Sequence, residues 1–177
     1  MSHVTFWVSN LIFLFGLSAC ALFSDRPGPP KYYGPREQVY FASFEEVWRA
    51  ANLVLQPYPL RISNMDQGAL ETDTIHGYKV WGPPYKSDIA NSGESYHLTI
   101  HVVKGNLERR VATKVTVLKD GEVQVDFFSE PRAIPSDGLE EKTLLYRIGR
   151  EIQVERALAK VQKQKQDEHQ EKPQDNQ

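Results

Sequence analysis

The spacing of apolar positions divides the chain into three regimes. Residues 4–16 (VTFWVSNLIFLFG) form an almost continuous apolar run, residues 37–161 alternate between strand-like and helical spacing, and residues from Gln162 onward include no apolar side chain. Within the middle regime, Gln38, Val39, Tyr40 and Phe41 predict a short first strand. Ser43 followed by Glu46 is a capping box. Phe44, Val47, Trp48, Ala51, Val54 and Leu55 then share one face of a helix, which Pro57 and Pro59 end. Leu60 and Ile62 open a second strand, and Leu70, Thr72 and Thr74 a third. A three-residue loop, Asp66-Gln67-Gly68, would pair Ile62 with Thr72 and Asn64 with Leu70.

Residues 96–103 alternate: Tyr96, Leu98, Ile100 and Val102 point one way, His97, Thr99 and His101 the other. Gly105-Asn106 reads as a turn, after which Val111, Val115 and Val117 share a core face. Asp120-Gly121 then suggests a hairpin. A two-residue loop would oppose Val117 to Gln124. A three-residue loop from Lys119 to Gly121 opposes Val117 to Val123 and Val115 to Val125, keeping the apolar face inward. Residues 131–135 read as a connector, and Asp137 with Glu140 as a second capping pair. Leu145, Ile148 and Ile152 turn a last helix toward the sheet, and Gly149 in its middle implies close packing. A second stripe, Val154, Leu158 and Val161, either meets a partner or wraps the domain edge. The expected fold is α+β, β-α-β-β-β-β-β-α, an antiparallel sheet of five to six strands with both helices on one face.

The apolar run at the start is shorter than the ~20 residues a bilayer span requires, and it closes on small residues, as a cleaved export signal does. Leu17-Ser18-Ala19-Cys20 resembles the bacterial lipobox at every position, and Cys20 is the sole cysteine of the 177 residues. The resemblance implies cleavage between Ala19 and Cys20, a diacylglyceryl group on the Cys20 sulfur and acylation of its new amine. The start departs from the pattern in having no Lys or Arg in Met1-Ser2-His3. An ordinary secretory signal or a buried N-terminal helix is the competing reading. In the lipoprotein family, Asp after the cysteine usually signals inner-membrane retention. Ala21 stands there instead, which implies a periplasm-facing anchor in the outer membrane. A triacylated cysteine exceeds the two chains that stable anchoring requires.

The remaining organisation follows from composition. Residues 1–19 read as the leader, and residues 20–36, with Pro27, Pro29, Pro30 and Pro35, as an extended tether reaching about 50 Å. Residues 37–161 read as one domain, and residues 162–177 as a polar tail that cannot offset its ordering entropy. The formal net charge of −2 gives no basic field for nucleic acid. One cysteine excludes an intrachain disulfide and a thiolate zinc cluster. No cofactor beyond the lipid on Cys20, and no metal, is expected.

Catalytic signatures are missing from the sequence: it has no GxSxG, HExxH, P-loop, GxGxxG or CxxC. His97 and His101 on one strand face would lie about 13 Å apart, too far for one metal ion. Glu45-Glu46 and Glu140-Glu141 fall in first helical turns, where the helix dipole accounts for them. The expectation is a protein that is not an enzyme. A hydrolase would require a cleft gathering His76 with acids from other strands. The most unusual stretch is the loop of residues 76–95, where Tyr78, Trp81 and Tyr85 surround Pro83-Pro84 beside Lys79 and Lys86. Aromatic anchors with a few cations suit a protein, glycan or headgroup contact. The competing reading folds Trp81 back to close the sheet edge, or runs strand three on through a Gly77 bulge.

The residues Phe44-x-x-Val47-Trp48-x-Ala50, Tyr58-Pro59-Leu60-x-Ile62 and Asp66-x-Gly68-x-Leu70-x-Thr72 resemble the domains of the lipoprotein C subunit of the β-barrel assembly machine and related small envelope lipoproteins. The resemblance implies a helix-grip, TBP-like fold acting as an accessory interaction module. The function expected is a membrane-anchored accessory that binds envelope proteins through Tyr78, Trp81, Tyr85, Val154, Leu158 and Val161. The alternative is a periplasmic carrier or sensor for a lipid or other small apolar ligand.

Overall fold

The computed structural model describes residues 34–77, 80–82, 93–124, 126 and 128–170. The leader, the acylation site with Ala19 and Cys20, most of the tether, and both Tyr78 and Tyr85 lie outside the described residues. The element order is β1 (Arg36–Tyr40), α1 (Phe44–Val54), β2 (Leu60–Asn64), β3 (Ala69–Thr72), β4 (Ile75–His76), β5 (Glu94–Leu107), β6 (Arg110–Val123), β7 (Arg132–Ile134) and α2 (Leu139–Gln170). The described strands make one antiparallel sheet in the order β1-β6-β5-β3-β2, with β4 alongside β5 and β7 alongside β6. This is the expected α+β arrangement, with seven strands rather than five or six: the short β4 and β7 are added, and two expected strands merge into β6.

The sheet is built on the β5–β6 hairpin, which pairs without interruption from Glu94↔Val123 to Leu107↔Arg110. Here the sequence reading needs two corrections. Gly105-Asn106 does not turn the chain; the turn is Glu108-Arg109, both with positive φ. Asp120-Gly121 does not make a hairpin either, because β5 begins at Glu94 and supplies partners for the whole of residues 119–123. What read as two strands is one, and Val117 faces Ile100 rather than Val123. A Cβ at Gly121 would lie 3.0 Å from the Ile134 side chain, so this glycine admits β7, which the connector reading missed.

At the other edge β2 pairs β3 through Leu60↔Thr72, Ile62↔Glu71 and Asn64↔Ala69, with a bulge between Leu60 and Ile62. The expected partners Ile62–Thr72 and Asn64–Leu70 are thus shifted, because the loop includes Met65 as well. Gly68 does take the left-handed conformation assigned to it (φ +62), and a Cβ there would collide with the Val102 carbonyl at 2.1 Å. Strand three stops at Thr72, not Thr74, and the edge resumes as β4. The Thr72 hydroxyl bridges the gap by accepting from the Leu98 N–H at 2.9 Å.

Both helices pack on one face. The capping box holds: the Ser43 Oγ accepts from the Glu46 N–H at 3.2 Å and Glu46 Oε2 from the Ser43 N–H at 2.9 Å. Val47, Trp48, Ala51, Val54 and Leu55 are buried with Leu98, Ile100, Val115, Val117, Leu144 and Ile148. Val111, expected in that row, is 60% exposed, because it lies past the last pairing of β1 with β6 at Tyr40↔Thr113. Gly149 meets the Tyr40 ring, which a Cβ would approach to 3.1 Å, and Tyr40 donates its hydroxyl proton to the Leu145 carbonyl. α2 continues to Gln170, past the point where composition predicts loss of order. Gln, Lys and Glu are good helix formers, so they extend a helix already nucleated on the core.

Candidate functional site

The second capping pair is only half present. Asp137 Oδ1 accepts from the Leu139 N–H at 3.0 Å, but Glu140 turns inward. Helical spacing explains this: Glu140 and Glu141 precede Leu144, Leu145 and Ile148 on the core-facing side of α2 and are 0% and 1% exposed. Glu140 Oε1 accepts from the hydroxyls of Tyr58 and Tyr96, each at 3.0 Å, and Oε2 pairs with Lys119 Nζ at 2.7 Å. Lys119 lies on the core row of β6, two and four residues beyond Val117 and Val115. Its ammonium stands 4.0 Å from the Tyr96 ring centre and 5.6 Å from that of Trp81. Burial and the Glu140 charge push both tyrosine hydroxyls far above their ordinary pKa.

Glu141 is different in kind. Its Oε1 accepts from the Ser136 hydroxyl at 2.5 Å, while its Oε2 is buried with no hydrogen-bond partner. Burial raises its pKa, against the opposing influence of the Ser136 hydrogen bond, its own backbone N–H and Lys119. The cluster is a buried ion pair with a neighbouring acid that favours its protonated form. With both carboxyls buried, it tethers the start of α2 to β5 and β6.

Trp81 is half-buried and lies on the Lys119 side of this cluster. Strand pairing at Ile75↔Tyr96 and His76↔Ser95 carries the sheet edge onward to Gly77.

The cleft a hydrolase requires has a counterpart. An open cleft of roughly 600 Å³ brings together His76, Glu94, Ser95, Glu122 and Asp126. His76, Ser95 and Glu122 are cross-strand neighbours in one row. The Ser95 hydroxyl donates its proton to Glu122 Oε1 at 3.2 Å. His97 pairs with Asp120, at 3.6 Å on the helix-free face of the sheet. Among the described residues, no three His, Cys, Asp or Glu side chains converge as a metal site.

The second stripe of α2 faces water: Val154, Leu158 and Val161 are 41%, 58% and 48% exposed. The last contacts with the domain fall within it, between Val154 and Leu158. Arg156 donates to Glu46 Oε1 at 2.9 Å and to the Phe41 carbonyl at 2.9 Å, and Arg49 pairs with Glu155 at 3.2 Å. From Ala157 to Asp167 every residue is exposed. Among the described residues, no helix is long and apolar enough to cross a membrane. No protein-family model matches the chain, and no curated protein matches it.

Proposed function

We propose that this chain is a lipid-anchored protein of the outer membrane, facing the periplasm, whose α+β domain is a non-catalytic accessory for envelope proteins. The anchor is Cys20. The docking element is the second stripe of α2, and one observation carries the reading: the same helix buries one stripe and leaves another, Val154, Leu158 and Val161, exposed where the helix leaves the domain. A helix that is apolar on a second face past its own core suits a partner helix or groove.

A carrier for a small apolar ligand requires room between sheet and helices. That layer is filled by Val47, Leu98, Ile100, Val117, Leu144 and Ile148, none more than 1% exposed, which weighs against a carrier. The test is a photo-crosslinking residue placed at Leu158, with Thr99 on the helix-free sheet face as control, in intact cells. A discrete adduct with one envelope protein from position 158 but not 99, lost in Val154→Glu, supports the reading. Equal labelling at both positions, or none at 158, contradicts it.

A further inference from the structure

The β5–β6 hairpin outruns its sheet. Pairing with β3 ends at His101 and pairing with β1 ends at Thr113, so residues 104–107 and 110–112 form a two-stranded ribbon with no third strand among the described residues. Two apolar side chains of the ribbon are exposed, Leu107 at 45% and Val111 at 60%. It is also basic: residues 104–111 include Lys104, Arg109 and Arg110 against Glu108 alone, in a chain of net charge −2. Arg110 lies over the Phe41 ring at 4.3 Å, which holds its guanidinium at the base of the tip. The turn itself is costly, since Glu108 (φ 52) and Arg109 (φ 63) occupy the left-handed region without being glycine. Gly105 and Asn106, better suited to such a turn, are held in β5 by the register. A position chosen for stability alone would not put two long charged side chains there.

We propose that this tip is a second, reversible membrane contact: Arg109 and Arg110 take anionic lipid headgroups while Leu107, which shares a ribbon face with Arg110, enters the boundary beside them. Charge and apolarity alternate over a few residues, as an interfacial contact requires. The tip is also too narrow for a protein interface, which buries roughly 800 Å² on each partner. The contact rests on the lipid-anchor reading, because a tether supplies the effective concentration that a small contact lacks. The reach is adequate. The chain enters at Arg36, opposite Val117, and the distance along β6 from there to the turn is about 30 Å. A segment the length of residues 21–36 would reach about 50 Å if fully extended, which exceeds that distance.

The test uses the full acylated chain carrying Leu107→Cys labelled with an environment-sensitive fluorophore. It is reconstituted on vesicles of phosphatidylcholine alone or with one third phosphatidylglycerol. Flotation on the neutral vesicles reports the anchor; emission on the anionic vesicles reports the tip, whether or not the neutral vesicles hold the chain. The expected result is a blue shift confined to anionic vesicles, reversed by about 0.5 M salt. In R109E/R110E the fraction of tip bound should fall about tenfold or more relative to its unbound fraction, with thermal unfolding unchanged. A tip that stays in water on anionic vesicles overturns the proposal. So does an equal shift on neutral vesicles, or a tip that crosslinks to an acidic envelope protein while remaining outside the lipid.

Discussion

Glu141 holds a carboxyl oxygen in the interior with nothing to bond it, and the consequence has a definite sign. Its folded pKa is raised above the ordinary 4.5, so the folded state binds this proton more tightly than the unfolded state does. The stabilisation is complete below that ordinary value and is lost as pH rises through the folded pKa. Glu141→Gln, which cannot ionise, should melt close to the natural protein near pH 5 and above it at pH 8, the gap widening with pH. Paired melting curves check this, and a gap that narrows as pH rises contradicts it. Gly149 gives a second residue-level prediction. Alanine is the better helix former by up to about 1 kcal/mol, yet its Cβ would stand 3.1 Å from a Tyr40 ring that is buried and bonded to Leu145. Gly149→Ala should therefore destabilise by about 1 kcal/mol in chemical denaturation, and a stabilised variant would show that the ring yields. The close approach at Gly149 was legible in the sequence. The buried acids were not, although their signal was present: extending the stripe of Leu145 and Ile148 toward the N-terminus lands on Glu140 and Glu141. The helix dipole offered a sufficient reason for two acids in a first turn, and Lys119, their counter-charge, had been assigned to a loop.

At the scale of elements, the signals of the first helix match the structure, whereas the Gly105-Asn106 turn, the second capping pair and the strand registers do not. The first helix, its capping box and its end were legible because each depends on residues within one turn. Register depends on how far a strand's neighbour extends. Once β5 begins at Glu94, the Asp120-Gly121 dipeptide has partners across the sheet and no reason to turn. Helix pairing makes its own prediction. Glu46 is held down to about 2 from the ordinary 4.5, chiefly by the Arg156 hydrogen bond and then by the Ser43 backbone. A depressed carboxyl stabilises above its unfolded pKa and ceases to do so as pH falls toward the folded value. The bond joining α1 to α2 should thus weaken between pH 4.5 and about 2. Arg156→Gln should flatten that acid limb, less so in high salt because both side chains are partly exposed. An unchanged acid limb in Arg156→Gln would remove Arg156 from this role.

For the whole molecule, one antiparallel sheet with two helices on a single face places the chain's entry and its free surfaces at opposite ends. Arg36 enters opposite Val117, near the level of Lys119, whereas Phe41, the ribbon and the emerging part of α2 gather at the other end through Arg110 and Arg156. The fold class was legible because alternation and helical spacing are strong over residues 37–161. The exposure of Val154, Leu158 and Val161 lies outside the core stripe that the spacing picks out, while the length of the β5–β6 ribbon was not legible, because Gly105-Asn106 reads as a turn and the structure turns at Glu108-Arg109. The central claim is that Cys20 is the acylated N-terminus of the working protein, and intact-mass spectrometry of the protein purified from native membranes tests it most directly. The expected result is a chain beginning at Cys20 and heavier by a diacylglyceryl group and one N-acyl chain. A chain that retains Met1 with an unmodified thiol would contradict it.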